Sequence, residues 1–166
     1  MPEREIHVRA PLFDRLTDLD PWSAGEPRPL RTLDRAGLRE SVRRELARLL
    51  NTRSSIPVDQ LAQRPELTVL EYGIPDLSAY SIGDDDHQRL LTNVVARAVA
   101  AFEPRLCEVR VAVVRLEDEQ RSLLLRIDAV LTAGEVAEPV SFPALMGLKS
   151  GQVEIQEALE VPALAR

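Results

Sequence analysis

An α+β fold, with two main helices packed on a small antiparallel sheet of three to four strands, follows from three features of the sequence. Apolar residues recur at helical spacing between Asp34 and Leu50, and again between Asp84 and Phe102. From Leu106 onward the spacing changes to alternation, in two long stretches separated by a charged turn. The helical pattern precedes the alternating one, so the strands pair as hairpins and not as parallel βαβ units. With 166 residues the chain suits one domain, and such a domain buries roughly 70% of its unfolded surface without needing a disulfide or metal.

Residues 1–11 are polar, with Pro2 and Pro11 as breakers, and predict a loose arm. Leu12-Phe13-Asp14-Arg15-Leu16-Thr17-Asp18-Leu19 then places Leu12, Leu16 and Leu19 on one helical face. This amphipathic segment is too short to be stable alone. It either packs on its own domain or docks on a partner. Pro21, Gly25, Pro27 and Pro29 form a linker. Residues 1–30 therefore stand apart from a domain over 31–158, with residues 159–166 as a tail.

Asp34 is placed to cap a helix to about Leu50, with Leu38, Val42, Leu46, Leu49 and Leu50 as its apolar stripe. Residues 56–80 are punctuated by Pro57, Pro65, Gly73 and Pro75 and predict mostly irregular chain, with a turn or strand at Thr68–Leu70. A loop of that length suggests contacts with something else. Asp84-Asp85-Asp86 opens the second helix, which buries Leu91, Val94, Val95, Ala98 and Phe102. Three carboxylates there complement the helix dipole. A divalent-metal site is the sharper alternative, but consecutive helical residues point in different directions.

The segment Phe102-Glu103-Pro104-Arg105-Leu106-Cys107 is the hinge of the pattern. Pro104 lacks an amide hydrogen and disfavours helix at Glu103, so the helix ends there. Alternation beyond it puts Cys107, Val109, Val111 and Val113 on one face, and extended backwards that face includes Arg105 and Glu103. An acid and a base directed to the core side require each other or a partner. The second strand, Ser122–Thr132, faces in with Leu123, Leu125, Ile127, Ala129 and Leu131. The turn between the strands is the charged stretch Glu117–Arg121. Pro139–Phe142 adds a short strand, Lys149-Ser150-Gly151 a turn, and Gln152–Gln156 a last alternation through Val153 and Ile155.

A net charge of −6 argues against nucleic acid as the main partner. Cys107 is the lone cysteine and falls on an apolar face, which fits a small buried side chain in a reducing compartment, most simply the cytoplasm. No run approaches the roughly 18 apolar residues of a membrane span, and no secretory leader is evident. His7 and His87 lie in no zinc motif, and there is neither a nucleophile elbow nor a phosphate-binding glycine loop. No cofactor or metal is implied. A glycosidase needs two carboxylates, and Glu103 is the best candidate for a perturbed one. Its neighbour Arg105, however, lowers a carboxyl pKa where a general acid needs it raised. A binding or assembly module remains.

Five stretches then carry a resemblance in order along nearly the whole chain. They are Leu12-Phe13-Asp14-Arg15-Leu16, Leu49-Leu50-Asn51-Thr52-Arg53, Tyr72-Gly73-Ile74-Pro75-Asp76-Leu77-Ser78, Phe102-Glu103-Pro104-Arg105-Leu106, and the strand pair that follows. Together they resemble the TssE family of type VI secretion baseplate subunits, related to the wedge protein of contractile phage tails. The resemblance implies a cytoplasmic, non-enzymatic structural subunit, recruited to an inner-membrane-associated complex in six copies per baseplate. Its implied partners are the wedge subunits TssF, TssG and TssK and the sheath subunits TssB and TssC, with no nucleic acid and no membrane insertion. The label "lysozyme-related" attached to such families makes peptidoglycan hydrolysis the alternative. The interaction residues expected on this basis are Glu103, Pro104 and Arg105 at one interface and Leu12, Phe13 and Leu16 on the short helix. An edge at Val153, Glu154, Ile155 and Gln156 is expected to pair with sheath by strand addition.

Overall fold

Asp34 starts the first long helix as the sequence predicts, its carboxylate accepting from the Gly37 amide at 2.7 Å. The computed structural model describes residues 8–17, 22, 32–80, 84–117, 122–147, 150–157 and 159–160. Leu19, His7, most of the Pro-rich linker, the tip of the charged turn, Lys149 and the end of the tail lie outside them. The order is β1 (Val8–Arg9), α1 (Leu12–Leu16), β2 (Thr32–Leu33), α2 (Arg35–Asn51), α3 (Val58–Gln63), a 3-10 turn (Val69–Glu71) and α4 (Asp85–Phe102). Five strands follow: β3 (Leu106–Glu117), β4 (Ser122–Ala133), β5 (Val136–Gly147), β6 (Val153–Ile155) and β7 (Leu159–Glu160).

The fold is α+β. The main sheet is antiparallel in the order β3-β4-β5-β6, with β7 also on β5. Leu123, Leu125, Ile127 and Leu131 of β4 and Phe142 and Ala144 of β5 are fully buried on its inner face. Two helices cover that face, α4 against β3 and α2 against β6, through Leu38, Val42, Leu46 and Leu50 on α2 and Val95, Ala98 and Val99 on α4. Asp84 caps α4 by accepting from the Asp86 amide at 2.8 Å, so an acid at this helix start does the bland work of capping.

Five expectations are corrected. The loose arm is tied down at its end: Val8 and Arg9 pair with Leu33 and Thr32, and Ala10 is buried. Residues 56–80 contain the helix α3 where irregular chain was expected, while the turn expected at Thr68–Leu70 is a 3-10 turn closed by a capping box, in which Thr68 and Glu71 bond each other's backbone. Proline-initiated helices this short leave too little periodicity to detect in sequence. The third strand is twelve residues long, not four. Proline is ordinarily excluded from a central strand, yet the Pro143 carbonyl accepts from Gln156 on the β6 side, so its missing N–H also faces away from β4. Leu159 and Glu160, the first residues of the expected tail, pair with Ser141 and Val140. Cys107, finally, is exposed. A register shift between Cys107 and Arg110, with Glu108 at φ 54°, inserts a bulge that reverses the alternation, so Leu106 is buried and Val109, Val111 and Val113 face in after it.

Candidate functional site

The sequence motifs converge at one end of the helix pair. Gly73 is at φ +106°, and a Cβ there would run into the Thr52 carbonyl. That freedom lets the Tyr-Gly-Ile-Pro loop lie beside the end of α2, where the Ile74 amide donates to Thr52 O at 3.0 Å and the Ser54 amide to Ile74 O at 2.9 Å. Ile74 is wholly buried, and Tyr72 meets the Phe102 ring edge-on at 5.2 Å. The loop thereby clamps the end of α2 to the end of α4, immediately before the Glu-Pro-Arg corner.

At that corner Arg105 Nε and Nη2 donate to the two carboxylate oxygens of Glu103 at 2.7 and 2.6 Å. Both side chains are largely enclosed, Glu103 almost completely. Nη1 of Arg105 then donates to Ser41 Oγ at 2.7 Å, and that hydroxyl donates to Asp14 Oδ2 at 2.5 Å. Arg44 Nη2 donates to the other Asp14 oxygen at 2.6 Å. Burial would raise the Asp14 carboxyl, but the hydrogen bonds from Ser41 and Arg44, with the charges of Arg44 and Arg105, together hold it below its ordinary value. The ladder continues along α2. Arg44 lies 3.5 Å from Glu40, Arg43 grips Glu40 at 2.6 and 2.7 Å, and Arg43 Nη1 donates to the Ile155 carbonyl at 3.1 Å.

Glu103 and Arg105 therefore pair internally, and through Ser41 they hold α1. The short helix is oriented the opposite way from simple burial: Asp14 is inside, while Leu12, Phe13 and Leu16 are 64%, 66% and 71% exposed. Pro104 is exposed at the corner. Sequence reading missed Ser41, Asp14 and Arg44. Ser41 carried a signal, since it sits on the apolar stripe three residues after Leu38 and beside Val42, where a hydroxyl needs a partner.

β6 does not offer the open edge expected at Val153–Gln156. Gln156 donates to Pro143, so residues of its parity face β5 and those of opposite parity, Val153 and Ile155, face outward. Asn51 takes both outward groups of Val153, donating to its carbonyl at 2.8 Å and accepting from its amide at 2.9 Å. Arg43 takes the Ile155 carbonyl. An amide at the end of α2 acts here as a substitute strand, which alternation alone does not reveal. Glu154 and Gln156 direct their backbones to β5.

The opposite edge differs. Parity carried across the register from Pro143 puts the Arg110 and Ala112 backbones toward β4 and those of Val111 and Val113 away from it. Among the described residues no strand pairs with that side. It borders an open groove of about 240 Å³ between β3 and the first turns of α4, lined by Asp85, Gln88, Arg89, Thr92 and Val111–Val113.

Among the described residues no three His, Cys, Asp or Glu side chains gather as a metal site, and no helix is long and apolar enough to cross a membrane. A family model described as baseplate wedge protein gp25 matches residues 36–135, from α2 through β4. No curated protein and no solved structure matches the chain.

Proposed function

Because the chain belongs to the baseplate wedge protein gp25 family, a family of structural baseplate components, we propose that it joins the wedge to the contractile sheath of a type VI secretion baseplate. In this reading it works in the cytoplasm, recruited to an inner-membrane-associated complex, in six copies per baseplate and without turnover. Its wedge partners are TssF, TssG and TssK, and its sheath partners TssB and TssC. Glu103 and Arg105 serve the wedge side by bracing the corner and seating α1, with Pro104 exposed between them.

The observation that carries the sheath contact is the outward backbone of Val111 and Val113, with no strand beside it among the described residues. Unpaired donors and acceptors on a long edge are a template for an incoming strand. The half-buried Val109, Val111 and Val113 leave apolar surface that such a strand would cover. This edge replaces Val153–Gln156, whose outward groups are largely taken by Asn51 and Arg43. Both oxygens of Glu103 are held by Arg105, which leaves peptidoglycan hydrolysis without its best acid.

Val113→Pro is the test, because proline there removes an outward N–H and spares the β3–β4 ladder. The variant is expected to keep a native circular-dichroism spectrum and wedge co-purification while fluorescently tagged sheaths fail to assemble in cells. Sheath assembly at the wild-type frequency would remove the β3 edge from the mechanism.

A further inference from the structure

Building on the wedge-subunit reading, we propose that α1 is a docking knob whose Leu12, Phe13 and Leu16 insert into an apolar groove rimmed by carboxylates on another wedge component. A one-turn amphipathic helix next to an apolar core would ordinarily bury its leucines. Here the helix is fixed by its acid. Asp14 is held from one side by Ser41 and from the other by Arg44, and Ser41 is held in turn by Arg105 of the corner. Since residues 12, 13 and 16 lie on the side of the turn away from residue 14, seating Asp14 inward fixes those three side chains outward.

The segment is also mounted as a projection. The chain leaves β1, forms α1, and returns to pair with β1 as β2, so both ends of the excursion are tied to one spot. Trp22, within the same excursion, is 96% exposed. Cations flank the patch: Arg15 is exposed on α1, and the Arg48 guanidinium, ion-paired with Glu45, lies 5.9 Å over the Phe13 ring. On a chain of net charge −6 the exposed Arg15 sets the sign of the complementary rim, since the Arg48 charge is already balanced by Glu45. Aromatic and arginine side chains together at a protruding apolar point are the composition of binding hot spots. The match to the family covers residues 36–135, so α1 lies outside it.

The test places a photocrosslinking amino acid at Phe13 or at Val113 in the full-length chain, in cells carrying the whole secretion system. The expected result is capture of a wedge subunit from position 13 and of sheath from position 113. Capture from position 13 should fall about tenfold with Asp14→Ala, and likewise with Arg15→Glu/Arg48→Glu. Capture from 113 should persist in both. A second copy of this chain or a sheath subunit captured at position 13 would overturn the proposal, as would undiminished capture in either variant. Capture at 113 with none at 13 overturns the knob and leaves the baseplate reading standing, whereas capture at neither position sinks both. A Leu12→Ser/Phe13→Ser/Leu16→Ser chain, altered only at exposed positions, should melt like wild type yet lose wedge co-purification, and its retention would also overturn the proposal.

Discussion

Removing the guanidinium of Arg105 tests the brace most directly. Arg105→Met deletes two short bonds to Glu103 and one to Ser41 while keeping the aliphatic stem. Glu103, only 3% exposed, is left as a carboxylate with little access to water. Breaking one side of a buried pair costs about 3–5 kcal/mol, and partial solvent access to Arg105 favours the lower figure of about 3 kcal/mol. With a urea m-value of about 2 kcal/mol/M, the unfolding midpoint should fall by about 1.5 M. Glu103→Leu/Arg105→Met removes both charges together, and Asp14 retains Arg44 and Ser41, so the double variant should lose only about 1 kcal/mol. The charge swap Glu103→Arg/Arg105→Glu should not recover, because a carboxylate at 105 would face Ser41 and Asp14 instead of donating to them. Urea unfolding followed by far-ultraviolet circular dichroism reads all three. A loss below about 1 kcal/mol for Arg105→Met, or full stability of the swap, would refute the claim that the corner is an enclosed network.

Two further outcomes concern the β6 edge and the arm. Asn51→Ala should cost about 2 kcal/mol by orphaning both outward backbone groups of Val153. Amide hydrogen exchange should then accelerate at Val153 and Ile155 more than in β4, and uniform exchange would show that Asn51 does not hold β6. Asp14 gives a pH dependence of known sign: its carboxyl lies below its ordinary value in the folded chain, so its stabilisation is complete above that value and is lost as pH falls through the folded one. The loss falls below about pH 4. Stability measured by urea unfolding should fall over that range in the wild type, and the fall should be absent in Asp14→Asn.

Much of the fold was legible because it rests on periodicity. Both long helices begin at the aspartates that the sequence marked, and β4 alternates as predicted from Leu123 to Leu131. Failures occurred wherever one residue altered the parity or replaced a regular partner. The bulge at Glu108 turned Cys107 outward, and nothing in Cys107-Glu108-Val109 announces an extra residue. Pro139 and Pro143 hid a central strand because sequence does not show which way their missing N–H groups would point. Asn51 belongs to a recognised motif, yet its bonds to Val153 depend on a contact across 102 residues of chain. At the site, Glu103 and Arg105 stood out through their charge and the proline between them. Asp14 did not, since a carboxylate beside leucines on a short helix ordinarily marks the solvent side.

That inversion of α1 explains why polar groups hold the arm. An apolar contact has no directional preference, and a one-turn helix seated by its leucines would bury the very side chains it presents. A carboxylate gripped by a hydroxyl and a guanidinium fixes rotation as well as position, because both oxygens have assigned donors. The same ladder reaches the Ile155 carbonyl through Glu40 and Arg43, so one face of α2 orients the arm at one end and closes the β6 edge at the other. With most outward groups of β6 taken, β3 is, among the described residues, the long border with no strand beside it. Assembly on a sheet with two open borders would permit strands to add on either side, whereas one open border gives a single direction of addition. In the proposed sheath-joining role, the arginine-rich face of α2 would contribute to specificity more than to affinity.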